Sequence, residues 1–282
     1  MSRPRIAIAG FQHETNTFAP IPTPFDDFAR GGAWPGLTTG ADVIDVFSGL
    51  NISIGGFIGG MSCESTALYY ARLNAEARRR LGGLHSAECV IWSVDFERIE
   101  QLQAAGDWDR VGAELARIGA ALEGAGAELL IIATNTMHKV AGAVRAATHV
   151  SLIHIAEAMA AAIVAAGLKR PGLMATAYTT EQEFYTGALK AAGLEPVTPE
   201  PEDRAETHRI IYDELCQGVT LDASRETYEA IARRLIDRGA DCLILGCTEV
   251  GMLLSQDNVP APVFDTTLIH ADAALEAALA DL

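Results

Sequence analysis

Two apolar stretches of like design constrain the fold of this chain more than any other feature. Leu129-Leu130-Ile131-Ile132-Ala133-Thr134 and Leu243-Ile244-Leu245-Gly246-Cys247-Thr248 each follow a Gly-Ala-acid triplet, Gly126-Ala127-Glu128 and Gly239-Ala240-Asp241. Each triplet follows a helix-like stretch. The same helix–strand unit therefore occurs twice, and each strand exits into polar residues, where open α/β sheets place their chemistry. Cys247 brings a thiol to one exit. At the place read as equivalent in the other, Ala133 brings only a methyl group.

Similar elements fill the rest of the chain. Ile52–Ile58 reads as a strand. Ser62, followed by Glu64, opens a helix over Ser65–Arg80 that stops at Leu81-Gly82-Gly83. Cys89–Val94 reads as a second strand. Trp108, Val111, Leu115, Ile118 and Leu122 step by three and four, an amphipathic helix face that feeds Leu129–Ile132. A helix around Ile155–Ala166 ends at Gly167, and Gly172–Thr176 is another strand. Thr180-Glu-Gln-Glu183 reads as a capping box opening the next helix. Tyr228, Ile231 and Leu235 mark the helix before Leu243–Leu245, with Val263-Phe264 and a closing helix Ile269–Leu282 after it. Strands alternating with helices predict mainly parallel sheets, here in two similar α/β lobes facing each other across a cleft.

Residues 1–50 differ. Arg5–Gly10 reads as a short strand and Asp42–Leu50 as a short helix, with Pro, Gly, Asp and Thr dominating between them. Such a segment cannot bury enough apolar area to stand as an independent domain.

Composition excludes several function classes. A formal net charge of −16 argues against nucleic-acid or anionic-membrane partners. No run approaches the apolar length of a membrane span, and the five cysteines include no CxxC pair, so a reducing cytoplasm is expected. Cys89 and Cys242, in strand-like runs, read as buried small hydrophobes. His13, His85, His138, His154, His208 and His270 are dispersed without an HExxH, and Gln12-His13-Glu14-Thr15-Asn16 offers no clear third ligand, so no metal is expected.

Three segments could carry chemistry. Gly59-Gly60-Met61-Ser62 joins a strand to a helix, where main-chain amides can hold a carboxylate or phosphate, or simply form a tight turn. Neither GxGxxG nor GxxxxGK[ST] occurs, which argues against a nucleotide. Thr134-Asn135-Thr136-Met137-His138-Lys139 puts more polar residues at a strand exit than a turn requires. Asn135 and Thr136 suit a carboxylate or ammonium group, although Thr136 also suits a helix N-cap; His138 and Lys139 read as structural or surface groups. Cys247-Thr248-Glu249 sets a thiol near a helix N-terminus, which predicts a lowered pKa and a reactive sulfur. An inert core cysteine is the alternative.

Ile58-Gly-Gly-Met-Ser62, Glu64-Ser-Thr66, Leu81-Gly-Gly-Leu-His-Ser86, Ser93-Val-Asp-Phe96, Thr134-Asn-Thr-Met-His-Lys139, Gly246-Cys-Thr-Glu249 and Phe264-Asp-Thr266 occur in that order. From Phe57 onward the chain resembles the aspartate/glutamate racemase family, in its broad-specificity, pyridoxal-independent branch. The resemblance implies two pseudo-symmetric doubly wound lobes, no cofactor, a small amino-acid substrate and a homodimer. It implies that two thiols flank the substrate Cα, one removing the α-proton and the other returning one. Carried over by position, Cys247 is one acid/base, while Met61, Ser62, Thr134, Asn135, Thr136, Thr248 and Glu249 hold the substrate. Ala133 stands at the first cysteine's expected place, Ala177 where the branch has arginine, and Cys63 where it has tryptophan. On this reading racemisation is in doubt, which leaves a degenerate amino-acid or dicarboxylate-binding protein, or a single-cysteine lyase or isomerase, as alternatives.

Arg5-Ile-Ala-Ile-Ala-Gly-Phe-Gln-His-Glu-Thr-Asn-Thr-Phe18, with Gly36-Leu37-Thr38 and Gly55-Gly56-Phe57, resembles the start of metallopeptidases of the microcystinase-C type. The remainder of such a peptidase is missing, so no zinc site is carried over. The chain reads as an N-terminal fragment over residues 1–57 that supplies a first strand, joined to a racemase-like domain over 58–282.

Overall fold

The computed structural model describes Ser53 and residues 55–280, and all of them lie in one compact unit, Asn51–Leu282. The expected strand at Arg5–Gly10, the helix at Asp42–Leu50 and most of the N-terminal fragment lie outside the described residues.

The first lobe contains β1 (Gly55–Gly59), α1 (Cys63–Leu81), β2 (Cys89–Ser93), α2 (Phe96–Ala104), α3 (Trp108–Gly124), β3 (Leu129–Ile132), a 3₁₀ turn at Thr136–Val140, α4 (Ala141–Ala147) and β4 (Ser151–Leu152). The second contains α5 (Ile155–Ala165), β5 (Pro171–Met174), α6 (Ala177–Glu181), α7 (Glu183–Ala191), α8 (Pro201–Asp213), a 3₁₀ turn at Leu215–Gln217, α9 (Asp222–Asp237), β6 (Cys242–Leu245) and β7 (Val263–Asp265). Finally α10 (Thr266–Ala278) returns to pack against α1 of the first lobe. The sheets run β2-β1-β3-β4 and β5-β6-β7, and every pairing in them is parallel.

Period-two alternation sorts each strand's side chains onto two faces. In β3, Leu130 and Ile132 meet Val111, Leu115, Ile118 and Leu122 of α3, whereas Leu129 and Ile131 meet Tyr69 and Leu73 of α1 and Ala274 of α10. In β6, Leu243 and Leu245 join Tyr228, Ile231 and Leu235 of α9, whereas Cys242 and Ile244 join Ile155 and Met159 of α5. Fully burying each such aliphatic side chain contributes about 1.5–3 kcal/mol. Both lobes are therefore doubly wound, with helices on each side of the sheet.

The lobes repeat each other at atomic detail. A Cβ on Gly56 of β1 would lie 2.6 Å from Leu130 Cδ2 and 2.8 Å from Ala127 Cβ, with Leu122 Cβ at 3.3 Å. On Gly172 of β5 it would lie 2.7 Å from Leu243 Cδ2, with Ala240 Cβ and Leu235 Cβ at 3.2 Å. Only glycine lets strand and neighbour approach so closely.

Two local expectations need correction. Thr180 opens no helix: it lies inside α6, and its hydroxyl turns back to the carbonyls of Thr176 and Ala177. The chain breaks at Gln182 before α7 begins. Cys89 is half-buried because β2 is an edge strand, while Cys242 is buried as expected.

Candidate active site

Equivalent backbone hydrogen bonds fix the register of the two strand exits. Ala133 N donates to Ile58 O at 2.9 Å, and Gly246 N donates to Met174 O at 2.7 Å. Ile58 pairs with Ile132, and Met174 with Leu245. Ala133 therefore corresponds to Gly246, and Thr134 to Cys247. The alternation agrees, since Ala133 continues the face of Leu129 and Ile131 and is fully buried beside Tyr69. Thr134 and Cys247 are half-buried between buried neighbours, Ala133 and Asn135 on one side, Gly246 and Thr248 on the other. The pairing of Ala133 with Cys247 expected from the sequence is thus off by one residue. Each of Thr134 and Cys247 stands six residues beyond the acid of its own Gly-Ala-acid triplet, a signal already present in the sequence.

Cys247 lies beside a buried carboxylate. Its Sγ is 2.8 Å from Glu249 Oε2, which also accepts from Thr248 Oγ1 at 2.7 Å. Glu249 Oε1 accepts from Ser62 Oγ at 2.6 Å. Ser62 belongs to the other lobe, where it caps α1 by accepting from Ser65 N at 3.2 Å. Ser62, Thr248 and Glu249 thus meet at the lobe interface. Met61 does not join them: its side chain packs into the first lobe's core with Ile58 and Leu115, so only its main chain is left for the turn. Cys63 is exposed at the first position of α1.

The thiol's expected acidity is also corrected. Desolvation and the adjoining Glu249 carboxylate push the Cys247 thiol well above its ordinary range. A low-polarity wall and a negative neighbour outweigh the short 3₁₀ turn that follows at Val250–Met252.

Asn135 and Thr136 face the second lobe. Asn135 Nδ2 donates to Thr266 Oγ1 at 3.0 Å, and that hydroxyl donates to Leu245 O at 2.7 Å, at the end of β6. Asn135 Oδ1 is buried without a partner among the described residues, an acceptor left available to an N–H donor. Thr136 Oγ1 lies 3.3 Å from Thr176 Oγ1 and 3.4 Å from Thr179 Oγ1, a cluster of three hydroxyls from both lobes. Thr136 is therefore not a simple helix cap. Thr176, Thr179 and Thr266 were not named as site residues from the sequence, because only the fold brings them to these strand exits. Among the described residues, no group of His, Cys, Asp and Glu is arranged to hold a metal ion, and no helix is long and apolar enough to cross a membrane.

A family model described as Asp/Glu/hydantoin racemase matches residues 58–274. The chain belongs to this family. A Yersinia pestis protein assigned as an Asp/Glu racemase shares 46% identity, with 80% of this chain and 99% of that one covered and a TM-score of 0.76. An aspartate racemase homologue from Pyrococcus horikoshii shares 32% identity over 80% of this chain and 99% of its own, with a TM-score of 0.70. Glutamate racemase from Francisella tularensis, solved with D-glutamate, shares 14% identity over 82% of each chain, a likeness of fold alone with a TM-score of 0.60.

Proposed function

We propose that this racemase-family protein inverts the α-carbon of an acidic amino acid by proton transfer, with Cys247 on one face of the substrate and Thr134 on the other. The observation that carries this reading is the shared strand register of those two residues. Both are partly accessible, and both end strands of a repeated unit. Ala133 then no longer counts against activity, because its side chain belongs to the core.

The chemistry follows from the groups present. An α-proton flanked by a carboxylate is a weak acid, so the carbanion must be stabilised by donors fixed in advance. The hydroxyls of Thr136, Thr176 and Thr179 suit the substrate carboxylate, and the unpaired Oδ1 of Asn135 suits its ammonium. In the free site Cys247 is a neutral thiol hydrogen-bonded to Glu249. Its proton can pass to that carboxylate across 2.8 Å, and the substrate ammonium lowers the cost of the thiolate that remains. A thiolate of high pKa is scarce but strongly basic. The Thr134 hydroxyl then donates its proton to the opposite face of the carbanion, and the proton that Glu249 took from Cys247 returns through solvent to the alkoxide left behind. The scheme needs no cofactor.

Both enantiomers of aspartate and glutamate in D2O test the reading. Deuterium should enter Cα, with inversion, for at least one pair. Uptake by none of the four, or full activity surviving Cys247→Ser, overturns it; binding without exchange would mark a protein that only holds the acid.

A further inference from the structure

His138 stands four residues beyond Thr134 and is buried. Its Nδ1 lies 2.8 Å from Thr134 O, and its Nε2 accepts from Ile155 N at 3.2 Å. A carbonyl only accepts and an amide N–H only donates, so both contacts require the neutral ring with its proton on Nδ1. Ile155 opens α5, whose buried face packs in the second lobe with Leu173 and Ile244. One imidazole therefore ties the strand exit of the first lobe to a helix of the second.

The surroundings hold that ring. His154 meets it edge-on with centroids 4.5 Å apart, and His270 does so at 5.4 Å. His270 is itself fixed, with Nδ1 2.8 Å from Tyr69 Oη and Nε2 2.8 Å from Ile153 O. The charged groups next outward are Glu157 and Arg145, which face His154. Burial and these neighbouring imidazoles keep His138 neutral.

We infer that His138 is a positioning residue for proton transfer: its Nδ1–H fixes the Thr134 carbonyl, and thereby the Thr134 hydroxyl, opposite Cys247. This rests on the proton-transfer reading of Thr134. The imidazole touches no reacting atom and exchanges no proton with substrate.

Two substitutions separate the ring's two bonds. His138→Asn keeps a donor near the Nδ1 position, and His138→Gln keeps an acceptor near the Nε2 position. Inversion needs both faces, whereas deuterium uptake with retention needs only Cys247. In His138→Gln, inversion should fall at least about tenfold further than uptake with retention, a differential cost of about 1.4 kcal/mol. His138→Asn should recover most of the lost inversion. Equal losses in both measurements, no loss of inversion, or no advantage of Asn over Gln would each overturn the inference.

Crystal structures of the two variants give a readout that does not depend on activity. Thr134 should move by about 1 Å in His138→Gln, a displacement large enough to matter for catalysis, and keep its place in His138→Asn. Thr134 unmoved in both variants overturns the inference even if the parent chain proves inactive. An inactive parent with the expected movement overturns only the proposed function.

Discussion

Ser62 and Glu249, one from each lobe, meet through a 2.6 Å hydrogen bond, and the same carboxylate touches the Cys247 thiol. A contact between the lobes therefore also bears on the sulfur's acidity. One side chain thus contacts both the other lobe and the thiol.

Glu249→Gln removes the negative charge but keeps the shape. The Cys247 thiol should become more acidic, though still above its ordinary range, because burial is the larger cause of the upward shift. The pH dependence of Cys247 alkylation, followed on its own peptide, measures this. An unchanged profile would mean that the carboxylate does not bear on the sulfur. Ser62→Ala leaves the buried carboxylate short of a donor and should cost about 1–3 kcal/mol in chemical unfolding.

Thr134 and Ala133 separate the two possible registers. Thr134→Val should lower inversion by about 10²-fold or more. Ala133→Cys should leave inversion near that of the parent chain, because the new thiol points toward Tyr69 rather than the cleft. Thr134→Cys should speed deuterium uptake from the enantiomer facing that residue. The enantiomers have equal free energy, so kcat/KM for inversion must match in both directions; only the exchange rates can reveal which face is slower.

The buried histidines should make the fold sensitive to acid. Burial pushes the His270 imidazole down to about 4 from its ordinary value of 6.5, and it holds His138 and His154 low as well. Between those limits the unfolded chain binds more protons than the folded one, so stability falls as pH drops from about 6.5 toward 4. His270 alone contributes on the order of 3 kcal/mol across that window. The midpoint of urea unfolding should fall accordingly, and His270→Asn should flatten the slope. A midpoint constant between pH 7 and 5 would contradict this.

Gly56 and Gly172 should respond alike to alanine. A methyl at either meets the side chain of Leu130 or Leu243 below 3 Å, and such overpacking costs about 1–3 kcal/mol. Comparable losses of thermal stability in the two variants would reflect the repeated packing. A neutral substitution at one site only would show that its lobe relaxes where the other does not.

Much of the architecture was legible because the periodicities are strong. Trp108 to Leu122 forms the expected α3, and Leu129–Ile132 is the strand its apolar run predicts. The capping box at Thr180 misled because a hydroxyl can bond back within a helix as readily as cap one. The short β4 and the polar, weakly amphipathic α8 carry little apolar signal and were not anticipated.

The sequence by itself determined the repeated helix–strand unit, its apolar faces and the polar exits, because alternation and helical spacing are properties of the chain alone. Counted from the two acids, it also contained the register match of Thr134 with Cys247. Only the tertiary structure decided which exit residues join the core and which stay partly accessible, since a one-residue slip moves a strand side chain from one face of the sheet to the other. It alone joined Ser62 to Glu249, Thr136 to Thr176 and His138 to Ile155. Those contacts arise when two lobes pack together, and no spacing along the chain encodes that meeting.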